Sequence, residues 1–159
     1  MTPEPVMLTP WEYKAAVELA VTRMAVSIDQ GTKDITAKER DWFERLRLDV
    51  MGTCGEMAVA KLLGKYWPPS VNTFHSVADI GKHIEVRTRS RDDGELIVRP
   101  NDALDRWYVL VTGQAPEMVV RGYIAGFEAV RDEWVQNPGG HRPAWFVPQS
   151  ALKPIPVTA

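Results

Sequence analysis

Residues 77–91 read VADIGKHIEVRTRSR, and the fold of the chain is decided by this stretch. Its β-branched residues favour an extended backbone, while Gly81-Lys82 is typical of a turn or a bulge. Because side chains alternate between the two faces of a strand, one face of this segment is largely apolar and the other is charged. The apolar face holds Ile80, Ile84, Val86 and Thr88, and the charged face holds Asp79, Glu85, Arg87, Arg89 and Arg91. The sequence therefore predicts a strand that packs on one side and concentrates charge on the other.

The length of the turn at Gly81-Lys82 decides whether the two acids of this segment meet. A two-residue turn would put Asp79 and Glu85 on opposite faces, whereas a three-residue turn or an unbroken strand keeps them together. Two carboxylates on one face make a site for a hard divalent cation. A solvated strand surface also carries alternating charge, so both interpretations stay open at this point.

Length and composition indicate one soluble globular domain. The chain has 159 residues, of which 45% are hydrophobic and 25% charged, enough for a sizeable core. Its net charge of −2 gives no general attraction to nucleic acid, so any polyanion must be bound by local basic patches. The single cysteine, Cys54, excludes an internal disulfide and a cysteine-based zinc site. With no apolar run near the roughly 20 residues that span a bilayer and no signal-peptide pattern, a cytoplasmic protein is expected.

Helical patterns dominate the first part of the chain. Capping signals at Thr9-Pro10-Trp11-Glu12 predict a helix to about Asp29, and a capping box at Thr36–Glu39 predicts a second helix to about Val50. Residues 51–63 are small and apolar, which predicts a helix pressed closely against a sheet. Its only acid is Glu56, which either ties off the helix start through a Thr53–Glu56 capping box or belongs to a site.

Strand patterns dominate the rest. The turn signal Asp92-Asp93-Gly94 predicts that Glu95–Val98 is the hairpin partner of the 77–91 strand. Further elements are expected as follows: a loose lead-in over 1–8, buried strands over Trp107–Thr112 and Met118–Ile124, a short helix over Phe127–Val135, and an edge strand over Trp145–Val147. The order of elements predicts a single α/β or α+β domain over 1–159, with N-terminal helices (1–50) packed on a central mixed sheet (51–150) and a tail (151–159).

Hydrolysis of a phosphodiester needs an activated water, neutralisation of the phosphate and help for the leaving oxygen, and a carboxylate-bound divalent metal supplies all three. Gly55-Glu56 on a helix, then Asp79, then Glu85-Val86-Arg87 on a strand is an order of residues that resembles the PD-(D/E)XK nuclease superfamily. The resemblance covers about residues 50–150. It implies a restriction-endonuclease-like core in which the downstream hairpin and strands complete the sheet.

By this resemblance, Asp79 and Glu85 are metal ligands, Glu56 is a ligand directly or through water, and the metal is Mg²⁺ or Mn²⁺. The implied activity is hydrolysis of DNA or, less often, RNA. Small stand-alone domains of this kind resemble those encoded by bacteriophages, which would place the protein in the host cytoplasm. A homodimer is left open.

Two positions depart from the superfamily pattern. Ala78 replaces a proline that shapes the backbone only. Arg87 replaces a lysine that can lose its proton and help to activate water, whereas arginine stays protonated. Arg87 can still orient water and neutralise phosphate charge. Besides a nuclease, the sequence is therefore compatible with a degenerate member that binds nucleic acid without cutting it, or with an assembly module.

Several other charged residues lie near the motif. Arg89, Arg91 and Arg99 are candidate phosphate contacts, with pairing to Asp92 and Asp93 as the alternative. His83 is preferred slightly to His75 as a candidate ligand or base. Its odd number puts it on the same strand face as Asp79 and Glu85. His141 is not assigned a role, and Asp102 and Asp105 are expected to be loop or capping acids.

Overall fold

The computed structural model describes residues 3–31, 40–71, 76–140 and 142–157. Helix α1 spans Pro10–Asp29 and begins with the predicted capping box. The Glu12 N–H donates to Thr9 Oγ1 (3.2 Å), and the Thr9 N–H donates to the Glu12 carboxylate (2.7 Å). Within the described ranges, no helix combines the length and the apolar character that crossing a bilayer requires.

Helix α2 spans Trp42–Leu62 as one continuous element, capped by Asp41, which accepts the Glu44 N–H at 2.8 Å. The prediction of two helices that meet near residue 50 is wrong. The sequence changes there from charged to small residues because the helix passes from solvent to the surface of the sheet, and the backbone remains helical throughout. Glu56 therefore lies deep inside a helix, and its proposed capping role at a helix start is wrong as well. The predicted box at Thr36–Glu39 falls outside the described residues.

A four-stranded mixed sheet has the order β1-β5-β4-β2. Its strands are β1 (Val6–Met7), β2 (Ile84–Arg89), β4 (Trp107–Gln114) and β5 (Glu117–Ala125). Strand β2 runs parallel to β4, and the other pairs are antiparallel. The predicted loose lead-in thus contributes an edge strand at one side, while β2, which carries the motif, forms the edge at the other. This mixture of helices and sheets confirms the predicted α/β class.

A second, antiparallel sheet has the order β3-β7-β6, with β3 at Leu96–Val98, β6 at Val135–Gln136 and β7 at Ala144–Val147. The expected hairpin between β2 and β3 is wrong, since β3 pairs with β7. Gln149 holds the intervening turn by donating to the carbonyls of Asp92 (2.7 Å) and Gly94 (2.9 Å), and the chain leaves the first sheet there. The expected edge position of residues 145–147 is also wrong, because β7 is central.

The expected helix over Phe127–Val135 is shorter and divided. Helix α3 covers only Gly126–Ala129, and a 3₁₀ turn follows at Asp132–Trp134. Val130 ends α3 with φ −81° and ψ 83°, outside the helical region. The helical spacing of apolar residues therefore predicted a helix that is longer than the one in the structure.

The core consists of two layers, one on each face of the four-stranded sheet. Alternate residues of β4 point to opposite faces. Val109 and Val111 pack with α2, whereas Tyr108 and Leu110 pack with the second sheet. On β2 the same alternation directs Val86 and Thr88 to α2, so Glu85 and Arg87 face the other side. Within the strand itself, Ile84–Arg89, the predicted division into an apolar and a charged face is confirmed, whereas Asp79 lies before the strand and not on it.

Close packing of α2 on β2 depends on Gly55. A Cβ at this position would lie 1.9 Å from Thr88 Oγ1 and 3.1 Å from Thr88 Cβ, whereas a Cβ at Gly52, one turn earlier, meets nothing within 4 Å. We expect Gly55→Ala to lower the free energy of unfolding by about 1–3 kcal/mol through overpacking. Gly52→Ala is the matched control and should raise it by up to about 1 kcal/mol. Urea unfolding of both variants measures the difference, and equal stabilities would contradict the packing described.

Candidate active site at the edge of the sheet

The turn that precedes β2 contains three residues. Ile80 and Ile84 exchange backbone hydrogen bonds of 3.1 and 3.3 Å, which leaves Gly81, Lys82 and His83 between them. Gly81 has φ +60°, a left-handed conformation that glycine adopts without strain. Of the alternatives left open by the sequence, the structure has the three-residue turn, the one expected to keep Asp79 and Glu85 together.

Asp79 lies along the open edge of β2. Its Oδ2 accepts the Val86 N–H at 2.8 Å, so the carboxyl group lies beside β2, which is an edge strand of the sheet formed by the described residues. Burial raises the pKa of Asp79 to about 7, with the negative charges of Glu56 and Glu85 adding to the effect and Arg87 partly offsetting it. Within the described part of the chain, no cationic side chain forms an ion pair with Asp79. It is the least compensated acid of the three.

Glu85 reaches this edge from the face opposite α2. Its side chain is buried and forms an ion pair with Arg106 Nη1 through Oε1. Its Oε2 lies 3.5 Å from Arg87 Nη1. Both carboxylate oxygens of Glu85 therefore lie close to guanidinium groups at the edge of β2.

Arg87 is held between acids and an aromatic ring. Its Nη2 donates to Asp102 Oδ2 at 3.0 Å, and its guanidinium lies 5.1 Å from the centre of the Tyr108 ring. Burial by itself would lower the pKa of Arg87, but Asp102, Glu85 and Asp79 outweigh it and raise the pKa. Arg87 thus stays charged, as the sequence indicates.

Glu56 approaches the edge from the α2 side and is tied into a network of its own. Arg23 donates to both carboxylate oxygens, at 2.7 and 3.0 Å, and Trp67 Nε1 donates to one of them at 3.0 Å. Arg23 also donates to the Ser70 carbonyl at 2.8 Å. The three donors fix Glu56 between α1, α2 and the connector that follows, so it influences Asp79 through its charge.

A group of arginines surrounds the C-terminal end of β2. Burial lowers the pKa of Arg99, and the positive charges of Arg142, Arg87 and Arg89 lower it further against the opposing effect of Asp102, so Arg99 lies near each of these three arginines. Arg91, in contrast, is exposed and donates twice to Asp93, at 2.9 and 2.7 Å. Of the predicted phosphate contacts, Arg89 and Arg99 lie beside the site, and Arg142 joins them from the loop before β7.

The remaining candidates are placed as follows. His83 is exposed in the hairpin turn, and His75 and His141 lie outside the described residues. Asp102 does cap a loop, because it accepts the Arg99 N–H at 2.8 Å, but it also pairs with Arg87. Asp105 is exposed.

Sequence reasoning missed Arg23 and Arg106, which form ion pairs with Glu56 and Glu85, and it missed Arg142, which lies near Arg99. Arg23 lies on α1, 33 residues from Glu56, and Arg106 precedes β4, 21 residues from Glu85. The strand pairing Ile84↔Trp107 brings Arg106 beside Glu85. No local sequence pattern predicts the pairing of β2 with β4. The contact between Arg106 and Glu85 could therefore be identified only from the register of the sheet.

The donor set fits a hard divalent cation in part. Asp79 offers a half-buried carboxyl group that forms no ion pair with the described cationic side chains, and Mg²⁺ is commonly held by one or two carboxylates together with water and substrate phosphate. Among the residues described, however, no three His, Cys, Asp or Glu side chains are arranged to hold a metal together. The expected three-carboxylate set of Asp79, Glu85 and Glu56 stays a prediction, and both glutamates lie near enough to Asp79 to raise its pKa.

No family model, curated protein or solved structure matches this chain. An assignment of function therefore depends on the chemistry of the site itself.

Proposed function

We propose that the protein is a Mg²⁺- or Mn²⁺-dependent nuclease that hydrolyses DNA at the open edge of β2, with Asp79 and Glu85 as the metal ligands. The observation that carries the proposal is the position of Asp79 at the edge of β2, where burial and the charges of Glu56 and Glu85 raise its pKa to about 7 and Arg87 offsets them only in part. A divalent cation relieves this repulsion, and the proton that competes with it is lost near neutral pH. A bound cation supplies an activated water and a clamp for phosphate oxygens.

The side chains around these ligands suit a phosphodiester. Arg87 Nη1 lies 3.5 Å from Glu85 Oε2. Because its guanidinium is permanently charged, Arg87 can neutralise the phosphate and orient the attacking water. Arg89, Arg99 and Arg142 extend the positive charge along the C-terminal end of β2 and would contact flanking phosphates. Glu56 acts here through its charge on Asp79. Since the only cysteine is buried and unpaired, a reducing cytoplasm is the compartment we propose.

The direct test incubates the protein with plasmid, linear and single-stranded DNA in Mg²⁺, Mn²⁺ or chelator. We expect cleavage that requires metal and is lost in Glu85→Gln, because the amide removes one anionic ligand while keeping the size of the side chain. Glu95→Gln, at a half-buried position before β3 where the carboxylate accepts the Gln136 amide, is the matched control and should cleave normally. Cleavage that persists in chelator or in Glu85→Gln would refute the proposal.

A second candidate function is metal-independent DNA binding without cleavage. It is favoured by the ion pairs of Glu85 with Arg106 and Arg87 and of Glu56 with Arg23, because these arginines occupy carboxylates that a metal would need. Calorimetric titration with Mn²⁺ separates the candidates: heat that disappears in Asp79→Asn supports the nuclease, and no heat supports the binding module. If the wild type is inactive, Arg87→Lys tests whether the motif lysine is the missing group, since only lysine can give up its proton.

A further inference from the structure

A cleft of about 430 Å³ lies at the N-terminal end of β2, beside the candidate active site. The 80–84 hairpin forms one wall and Trp107 the other, and the Trp107 N–H donates to the His83 carbonyl at 2.7 Å. Ile80 and Ile84 line the cleft, and they are the chain neighbours of Asp79 and Glu85. Ile84 lines the cleft on the α2 side of β2, while Glu85 points to the opposite face, so a ligand in the cleft lies beside the backbone segment that carries the two carboxylates.

Trp107 provides an aromatic surface in this cleft. The residue is 46% exposed, although most tryptophan side chains are largely buried. Its ring packs against Tyr123, with ring centres 5.1 Å apart and planes tilted by 32°. A ring that is held by a neighbour yet remains accessible can stack on a planar ligand with little loss of freedom.

The charge of the cleft selects an anionic ligand. Its lining contains Lys65, Lys82 and His83 against one acid, Asp105, and all four are exposed. Aromatic stacking next to lysines is the combination by which proteins hold single-stranded nucleic acid, because every base has a stacking face and every nucleotide carries a phosphate. A continuous duplex keeps its bases stacked on one another and offers no such face.

We propose that this cleft holds an unpaired nucleobase against Trp107, with Lys65 and Lys82 on the neighbouring phosphates. The inference rests on the proposed function for the identity of the polymer as DNA. It adds that the substrate is single-stranded or frayed DNA, whose backbone runs from the cleft past Asp79 and Glu85 to the arginines at the other end of β2.

Binding without cleavage tests the cleft separately from the chemistry. Fluorescence anisotropy in chelator compares labelled oligothymidylate of about 20 nucleotides with a blunt duplex of the same length. We expect the wild type to bind the single strand at least about 10-fold more tightly than the duplex. Trp107→Ala should weaken single-strand binding by about 5- to 100-fold with little change for the duplex, because one base loses its stacking partner. Trp107→Phe, which keeps a ring, should retain most of the affinity.

Trp11→Ala is the matched control, because Trp11 is 77% exposed at the start of α1 and is not one of the residues that line the cleft. Lys82→Gln, at an exposed turn position, should reduce the salt dependence of single-strand binding by about 0.7 in the log–log slope. If Trp107→Ala does not fold, Lys82→Gln still tests whether the cleft binds the single strand. Equal affinity of the wild type for both DNAs, or unchanged binding by folded Trp107→Ala and Lys82→Gln, would overturn the inference.

The two proposals fail in different ways. A protein that never cuts DNA but shows Trp107-dependent binding of single strands refutes the nuclease and leaves the nucleobase site standing. A protein that cuts with metal but does not distinguish single strands from duplex, with or without Trp107, refutes the nucleobase site and leaves the nuclease standing.

Discussion

Asp79→Asn is expected to make the protein more stable at pH 8 and unable to cleave DNA. The amide keeps an oxygen that can accept the Val86 N–H but removes the charge that burial, Glu56 and Glu85 disfavour. Folding raises the pKa of Asp79 from 3.8 to about 7, so the folded state binds this proton more tightly than the unfolded chain. The stability that the group contributes is fully present below about pH 4 and is lost as the pH rises through 7.

The measurement is urea unfolding of the wild type and Asp79→Asn between pH 5 and pH 8. Over this range the free energy of unfolding of the wild type should fall by about 2–3 kcal/mol relative to that of the variant. Roughly two pH units separate pH 5 from the pKa of Asp79 in the folded state, and each unit corresponds to about 1.4 kcal/mol. Mg²⁺ should restore stability to the wild type, more at pH 8 than at pH 6, and should leave Asp79→Asn unchanged. Asp132→Asn, an exposed acid in the 3₁₀ turn, is the control and should show neither effect.

A stability difference that does not change with pH would show that Asp79 is not held in the environment described. A difference of the expected sign without any effect of Mg²⁺ would support the metal-independent alternative. The experiment therefore examines the electrostatics of the site and its proposed ligand with the same two proteins.

The largest loss of stability is expected for Arg23→Met. This change removes both hydrogen bonds to Glu56 and leaves a buried carboxylate without its cation, which typically destabilises a protein by about 3–5 kcal/mol. Among the described residues, Trp67 Nε1 is the side-chain donor to Glu56 that remains, and one neutral donor does not replace a guanidinium. Chemical unfolding at pH 8 measures the effect.

The double variant Arg23→Met/Glu56→Gln is the control for that prediction. Glutamine keeps an acceptor for Trp67 without the buried charge, so the double variant should recover at least half of the lost stability. If the double variant is no more stable than Arg23→Met, the loss arises from the packing of the arginine and not from its charge. Glu56→Gln alone should also make Asp79 easier to ionise, because one of the two carboxylates that raise its pKa is removed.

Much of the fold could be predicted from local patterns. The capping box at Thr9, the strand at 107–112 and the two-faced strand at 84–89 follow from hydrogen bonding and side-chain alternation within a few residues. Errors arose where pairing joins distant segments. The turn at 92–94 has the composition of a hairpin, yet it sends the chain to a second sheet, where β3 pairs with β7 about fifty residues later.

The sequence alone was enough to single out the candidate site residues. It identified Asp79, Glu85 and Arg87 as one charged strand face, and the single cysteine and modest net charge excluded other kinds of site. Only the tertiary structure decided how those charges are balanced. Arg23 and Arg106 reach Glu56 and Glu85 through helix packing and strand register, while Asp79 remains without a cationic partner among the described residues. The physical reason is that a side chain's identity is local, whereas its pKa depends on burial and on charges that folding brings near from far along the chain.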